Sequence, residues 1–288
     1  MKEKITFRKG YRARSVFHIC NVTIMILILV AMLVPMLKVV SDSLDRTTTY
    51  GINLWPKNFS LSAYKIIFTK EPLYRPFLIS VYVMFSGTFI GLTITTLGAY
   101  VLNKRDLIGR NFLSKLVFIT MIFNGGLVPT FLVLKGLQLT NSLWAVLLPL
   151  SVNVYNMVLM RNFFDQIPMS LFESAEMDGA TPMRIFLSIV LPLSKAALAS
   201  IGLFFAVIFW NEFFSFIMYI TDTKLFNFQI KLREMIINEQ NLNDRYIVGY
   251  GDMVKNAAVI VAMIPFLFMY PFAQRYFITG VTMGAVKE

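Results

Sequence analysis

Glu173-Ser174-Ala175-Glu176-Met177-Asp178-Gly179-Ala180-Thr181-Pro182 is a polar interruption between two long apolar runs, residues 142–160 and 196–220. It puts three carboxylates and a glycine where two membrane-crossing helices need only a short connector. Read locally, the stretch is punctuated. Pro168 stops whatever arrives from the preceding run, and Ser170-Leu171-Phe172-Glu173 fits a capping box, which predicts a helix starting at Leu171. Gly179 offers the permissive backbone that ends a helix. Thr181-Pro182 then reads as an N-cap followed by proline at the first helical position. The expected product is two short helices with a sharp bend, the second running from Met183 to Val190 and into Leu191-Pro192. So defined a shape in a connector implies that something docks on it.

The surrounding chain belongs in a membrane. It is 57% hydrophobic and only 15% charged, where soluble domains carry about 25% charged residues. Its mean hydropathy is +0.65. A hydrocarbon core of roughly 30 Å is crossed by about 20 apolar residues of helix. Six runs qualify, near residues 16–40, 77–102, 112–134, 142–160, 196–220 and 257–277. Hydrocarbon offers backbone groups no water, and the runs are too continuous for the alternation of a barrel, so helices are expected. The fold class expected is an all-α, polytopic membrane protein with six transmembrane helices.

Basic residues orient it. Lys2, Lys4, Arg8, Lys9, Arg12 and Arg14 face Glu3 alone in the first fourteen residues, and Lys104, Arg105, Arg110 and Lys115 follow the second run. Both segments should stay in the cytoplasm, and six crossings return the C-terminus there. The expected division is a basic cytoplasmic arm over residues 1–15 and a transmembrane domain over 16–288. The first apolar run, at about 25 residues with no small-residue cleavage site after it, reads as a retained anchor rather than a signal peptide. The net charge of +11 fits such a topology, with attraction to anionic membrane lipid. Basic residues scattered along the chain do not make a nucleic-acid surface.

Other classes lose their chemistry. Cys20 and His18 are each the sole residue of their type, which leaves no cysteine cluster and no metal set. A serine hydrolase would have to use His18 beside the basic arm, where hydrogen bonding at the interface is the plainer role. No Gly-x-x-x-x-Gly-Lys-Ser/Thr loop is present, so P-loop ATP hydrolysis is not expected in this chain. A secondary transporter would call for an internal repeat and several intramembrane carboxylates, and neither stands out.

Polar residues inside the apolar runs are few. Phe123-Asn124-Gly125-Gly126-Leu127-Val128-Pro129 interrupts the third run with groups that weaken helical bonding. Asn153, Tyr155 and Asn156 lie in the fourth, and Trp210-Asn211-Glu212 in the fifth. A charge at the bilayer centre costs roughly 2.5–3.5 kcal/mol on insertion scales, so Glu212 should face the bundle interior or water. Asn124, Asn153, Tyr155, Asn156, Trp210, Asn211 and Glu212 are therefore candidates for a substrate path, aromatic faces and amides suiting a sugar. Bonding between helices is the alternative use. Residues 41–76 and 221–255 are long outer segments, the second with Asn238, Gln240, Asn241 and Asn243 close together, and suit either solvent or an external partner.

Glu173-Ser174-Ala175, Asp178-Gly179-Ala180, Phe186, Ile189 and Leu191-Pro192 stand at the spacing of the EAA loop and resemble that of ABC-importer permeases. The chain is similar to the shorter, six-helix permease of the maltose-type carbohydrate family over nearly its whole length. Leu54-Trp55-Pro56, Leu61-Ser62-Ala63-Tyr64, Gly98-Ala99-Tyr100 and the tail Gly280 to Lys287 carry the likeness further. Ser174 replaces the usual second alanine, and Ala196 stands where a second proline is frequent. The glycine-broken third run resembles the oligosaccharide and polysaccharide-fragment branch. The resemblance implies a type I ABC-importer fold in a bacterial cytoplasmic membrane, with a coupling loop over about 165–195. Glu173, Ser174, Ala175, Asp178, Gly179, Ala180, Leu191 and Pro192 would couple it to an ATPase. It further implies a second related permease, two ATPase subunits holding the ATP and Mg, an extracellular sugar-binding lipoprotein, and no cofactor on this chain. Import of a non-sugar solute by the same machinery is the alternative.

Overall fold

A computed structural model describes residues 4–47, 51, 53–104, 106–123, 125–237 and 251–285. Among them the chain is helical, with a lone bridge between Asp45 and Phe59 as its extended pairing. In order, the helices are α1 (Lys4–Leu44), α2 (Ser62–Thr69), α3 (Glu71–Asn103), α4 (Arg110–Ile122), α5 (Leu127–Gly136), α6 (Trp144–Ser151) and α7 (Val154–Phe164). There follow α8 (Met169–Met177), α9 (Pro182–Ile185), a π turn (Phe186–Val190), α10 (Leu191–Leu193), α11 (Lys195–Asn211), α12 (Phe214–Tyr219), α13 (Phe228–Ile237) and α14 (Gly251–Ala285).

Three of these helices are long and apolar enough to cross a membrane: α1 from Val16, α3, and α14 over Gly251–Pro271. Two more crossings arise if α4 with α5, and α9–α10 with α11, each count as one bent span. The expected third, fourth and fifth runs are thus not single rods. The third breaks at Phe123, whose backbone is extended, and restarts after Gly126 at φ 83°. The fourth breaks at Val152-Asn153 between α6 and α7, and the fifth at Glu212-Phe213 between α11 and α12. Glycine explains the first break. At the other two, Asn153 and Glu212 supply side-chain acceptors to the freed amides that follow them.

The described residues form two compact units. The first holds 4–68 and 251–261. In it the side chains of α1 between Val16 and Met36 are largely exposed, as expected for a helix meeting lipid or another subunit. Its far end is tied by Ser43, whose hydroxyl lies 2.7 Å from that of Tyr64. Asp45, just past α1, accepts backbone N–H groups from Thr47, Lys57 and Asn58 at 2.9, 2.7 and 3.3 Å. These bonds, that of Thr47 foremost, hold its carboxyl down to about 2.

The second unit, 69–237 with 262–285, is organised around α3, which packs on α6, α7, α11 and α13. Its contact with α11 is set by Gly87 and Gly91, one helical turn apart. A Cβ at Gly87 would fall 2.5 Å from the Phe209 ring, and one at Gly91 would fall 2.7 Å from Phe205. The two rings are buried and stack at 6.4 Å, so each glycine is the socket for a phenylalanine. In a membrane, where lipid removes the hydrophobic drive between helices, such close packing supplies much of the association energy.

Candidate functional site

The punctuated stretch folds as a hook. Its first helix, α8, begins at Met169 behind Pro168, whose carbonyl accepts the Leu171 N–H at 3.1 Å, and no side chain caps it. The expected capping box of Ser170 and Glu173 is therefore absent. Pro168 presets the entry, which draws Ser170 into the first turn and leaves Glu173 exposed and uncommitted to the cap. The other end matches expectation. Gly179 takes φ 73°, its N–H bonds the Glu176 carbonyl at 3.0 Å, and the Ala180 N–H bonds Ala175 at 2.9 Å. That pair of bonds is the Schellman closure. Thr181 accepts the Arg184 N–H at 3.4 Å and Pro182 opens α9, as the sequence predicts.

Three contacts seat the hook on the core. Phe172, Ala175 and Ala180 pack against the buried cluster that includes Phe164, Ile185 and Phe186. The Tyr100 hydroxyl, near the end of α3, donates to the Pro182 carbonyl at 2.9 Å. Its ring lies 4.9 Å from that of Phe186. Facing away from the core are Glu173, Ser174, Glu176, Asp178 and Met177, the last 88% exposed. Beyond the π turn, Leu191 and Pro192 lie in α10, and Ser194 turns the chain by 82° into α11. A thrust on α8 thus has a short, packed route to α11. Nothing in the sequence reading singled out the Tyr100 hydroxyl, because its acceptor is a backbone carbonyl 82 residues away.

The polar residues of the apolar runs fall in two groups beside two helix breaks. Asn153 is the N-cap of α7, accepting the Asn156 N–H at 3.0 Å. Asn156 is buried, and Tyr155 between them is exposed. At the other break Glu212 accepts the Ser215 N–H at 2.7 Å. Its own carbonyl receives the side-chain amide of Asn227, whose oxygen accepts the Ile230 N–H at 3.1 Å. Asn211 is exposed and bonds back to Val207 at 2.9 Å. Trp210 is fully buried, its indole N–H on the Ala262 carbonyl at 3.1 Å and its ring edge-on to Phe77 and Phe266. Asn124 lies outside the described residues.

Around the two breaks α7 packs beside α11 and α6 beside α12. Broken helices at membrane depth occur where protein or a water-filled cavity receives the freed backbone groups. Sequence reading missed Asn227, which lies in the expected outer segment. It also missed Asn141, at φ 60°, whose side chain accepts the N–H groups of Thr221 and Asp222 at 3.1 and 2.8 Å. Arg233 lies over the Phe213 ring, 4.4 Å from its centroid.

The chain and its fold have counterparts among known proteins. The chain is similar to the polygalacturonan/rhamnogalacturonan transport system permease protein YtcP of Bacillus subtilis, 41% identical over 88% of this chain and 92% of that one. It superposes on a chain of a bacterial ABC transporter involved in the import of the acidic polysaccharide alginate. The TM-score is 0.87 at 28% identity, over 92% of this chain and 98% of the other. A chain of the bacterial alginate ABC transporter in complex with an alginate pentasaccharide-bound periplasmic protein shares the fold, with a TM-score of 0.61 at 13% identity over 92% and 94% of the two. The model of the binding-protein-dependent transport system inner membrane component matches residues 10–283, and the chain belongs to that family.

Proposed function

We propose that this chain is one of two related permease subunits in an ATP-driven importer and that its cargo is an oligosaccharide. Two ATPase subunits holding ATP and Mg supply the work, and an extracellular binding protein delivers the sugar. Six spans cross the bacterial cytoplasmic membrane with both termini in the cytoplasm, α6 and α7 together making the fourth. The carbohydrate reading follows the polygalacturonan and alginate cargoes named for the similar proteins.

One observation carries the coupling. The exposed helix α8 ends at Gly179 and is tied just beyond it, at the Pro182 carbonyl, to the core that continues into α11. ATPase closure would press on Glu173, Ser174, Met177 and Asp178 and be passed through α9 and α10 to the break at Glu212. Asn153, Tyr155, Asn156, Asn211 and Glu212 then stand by a path whose gate is the pair of breaks, with Trp210 fixing the wall behind them. The test is assembly and stimulation. Expressed with its neighbouring permease and an ATPase, the chain is expected to co-purify as a complex. Its ATP hydrolysis should rise with sugar-loaded binding protein in membranes, while the pure subunit should hydrolyse none. Robust hydrolysis by the subunit alone, or indifference to every oligosaccharide tried, overturns the reading.

A further inference from the structure

A pocket of about 330 Å³ opens at the end of α3 that carries Glu71, between that helix, the turn at Thr223 to Phe226, and α13. That volume is near the lower end of small-molecule sites, roughly 300–1,000 Å³. Its charged lining is Arg75, Lys224 and Lys231 with Glu71 and Glu234. The two carboxylates each answer one cation: Arg75 meets Glu71 at 3.1 Å, and Lys231 meets Glu234 at 3.5 Å. Lys224 is exposed on the rim, and it is its backbone N–H, not its ammonium, that bonds Asp222. Pro72, Pro76 and Phe226 give the pocket apolar walls.

We infer that this pocket is an entry site for the carboxylate-bearing ring of an acidic oligosaccharide, a uronate, ahead of the path at Glu212. The inference rests on the oligosaccharide reading above and names the charge of the cargo. A uronate ring offers what this lining separates. Its carboxylate suits Lys224, with Lys231 behind. Its hydroxyls can donate to Glu71 and Glu234, and its C–H faces suit Phe226 and the prolines. A phosphate has no ring face for Phe226 and the prolines to meet.

The place is apt as well. Asn227, next to Phe226 of the pocket wall, clamps the Glu212 carbonyl, and the following Phe228 N–H bonds Ser80 of α3 at 2.9 Å. A ring held here is therefore one packed turn from the break in the fifth run. The Arg75–Glu71 pair is exposed and the Lys231–Glu234 pair half-buried on its lysine side; exposed pairs are individually weak, so a ligand's charge can compete for these cations.

The experiment uses the assembled complex in liposomes with its binding protein. The probes are tetragalacturonate and its fully methyl-esterified form, which keeps the rings and removes the charge. Uptake at saturating loaded binding protein is compared for wild type, K224Q/K231Q and the charge-retaining K224R/K231R. Wild type should prefer the acid, and K224Q/K231Q should lose about fivefold of acid uptake, in line with the loss of two weakly screened surface charges. Ester uptake should hold, and the arginine pair should restore the acid. The binding-protein concentration giving half-maximal ATPase should not move. A rise in that concentration with equal loss of both probes would make the cluster a docking surface for the binding protein and overturn the site. Equal acid uptake in all three proteins would overturn it too. A wild-type complex that moved neither probe but imported a neutral oligosaccharide would overturn this site and leave the transport reading standing.

Discussion

The ring of Phe209 on α11 stands where a side chain of Gly87 on α3 would be: a Cβ there would come within 2.5 Å of it. Phe209 is buried and stacked on Phe205, so it has no free direction in which to yield. Gly87→Ala is expected to destabilise the subunit by about 1–3 kcal/mol, the usual cost of overpacking. Gly202→Ala, whose nearest neighbour would be Leu92 at 3.8 Å, should be tolerated. Thermal unfolding of the two variants in detergent distinguishes them, and equal melting would refute the socket.

Glu212 has two separable uses, as the acceptor of the Ser215 N–H and as a charge beside the break. Glu212→Gln keeps an acceptor oxygen, and Glu212→Ala removes it at a cost of about 1 kcal/mol, as for other helix caps. The expected outcome is wild-type stability with reduced uptake for the glutamine variant, and loss of both for alanine. Normal uptake in Glu212→Gln would leave only the cap.

Because Glu173 does not cap α8, its substitutions report on docking alone. Glu173→Gln and Glu173→Ala should lower sugar-stimulated ATP hydrolysis alike while leaving the melting temperature unchanged. Gly179→Val acts differently, since a β-branched residue at φ 73° carries backbone strain of order 1–3 kcal/mol. Tyr100→Phe frees the Pro182 carbonyl and loosens the seat of the hook. Both should keep the ATPase bound but reduce coupling, read as uptake per ATP hydrolysed. Full coupling in both would show that the hook does not transmit force.

The Asp45 turn should outlast ordinary carboxylate interactions as pH falls. Its folded pKa, about 2, lies below the free value of 3.8. Its contribution is therefore full above the free value and is lost as pH drops through the folded one. Asp45→Asn, which replaces an ionised acceptor of backbone N–H groups, should cost about 2 kcal/mol locally. Amide exchange at Thr47, Lys57 and Asn58 measures both effects. Protection that vanished already near pH 4 would contradict the depressed value.

Membrane residence, helical class, the Gly179 bend and the Thr181-Pro182 restart were legible in the chain, because each rests on short-range chemistry. Apolar length answers to bilayer thickness, and a residue's own backbone decides whether it turns. Gly87 and Gly91 were not singled out: they stand four apart in an apolar run, but nothing there names the partner helix. The breaks at Asn153 and Glu212 were hidden, since an apolar run looks continuous whether or not a side chain caps its middle. The capping box misled because Pro168 offers a competing start two residues earlier, and local rules do not rank the two. What holds the hook is a Tyr100 hydroxyl on a distant carbonyl, and what clamps Glu212 is an amide fifteen residues further on. Such bonds follow from which surfaces meet when α3, α11 and α13 pack, and any backbone carbonyl is an equal acceptor in sequence. Only the packed tertiary structure selects one.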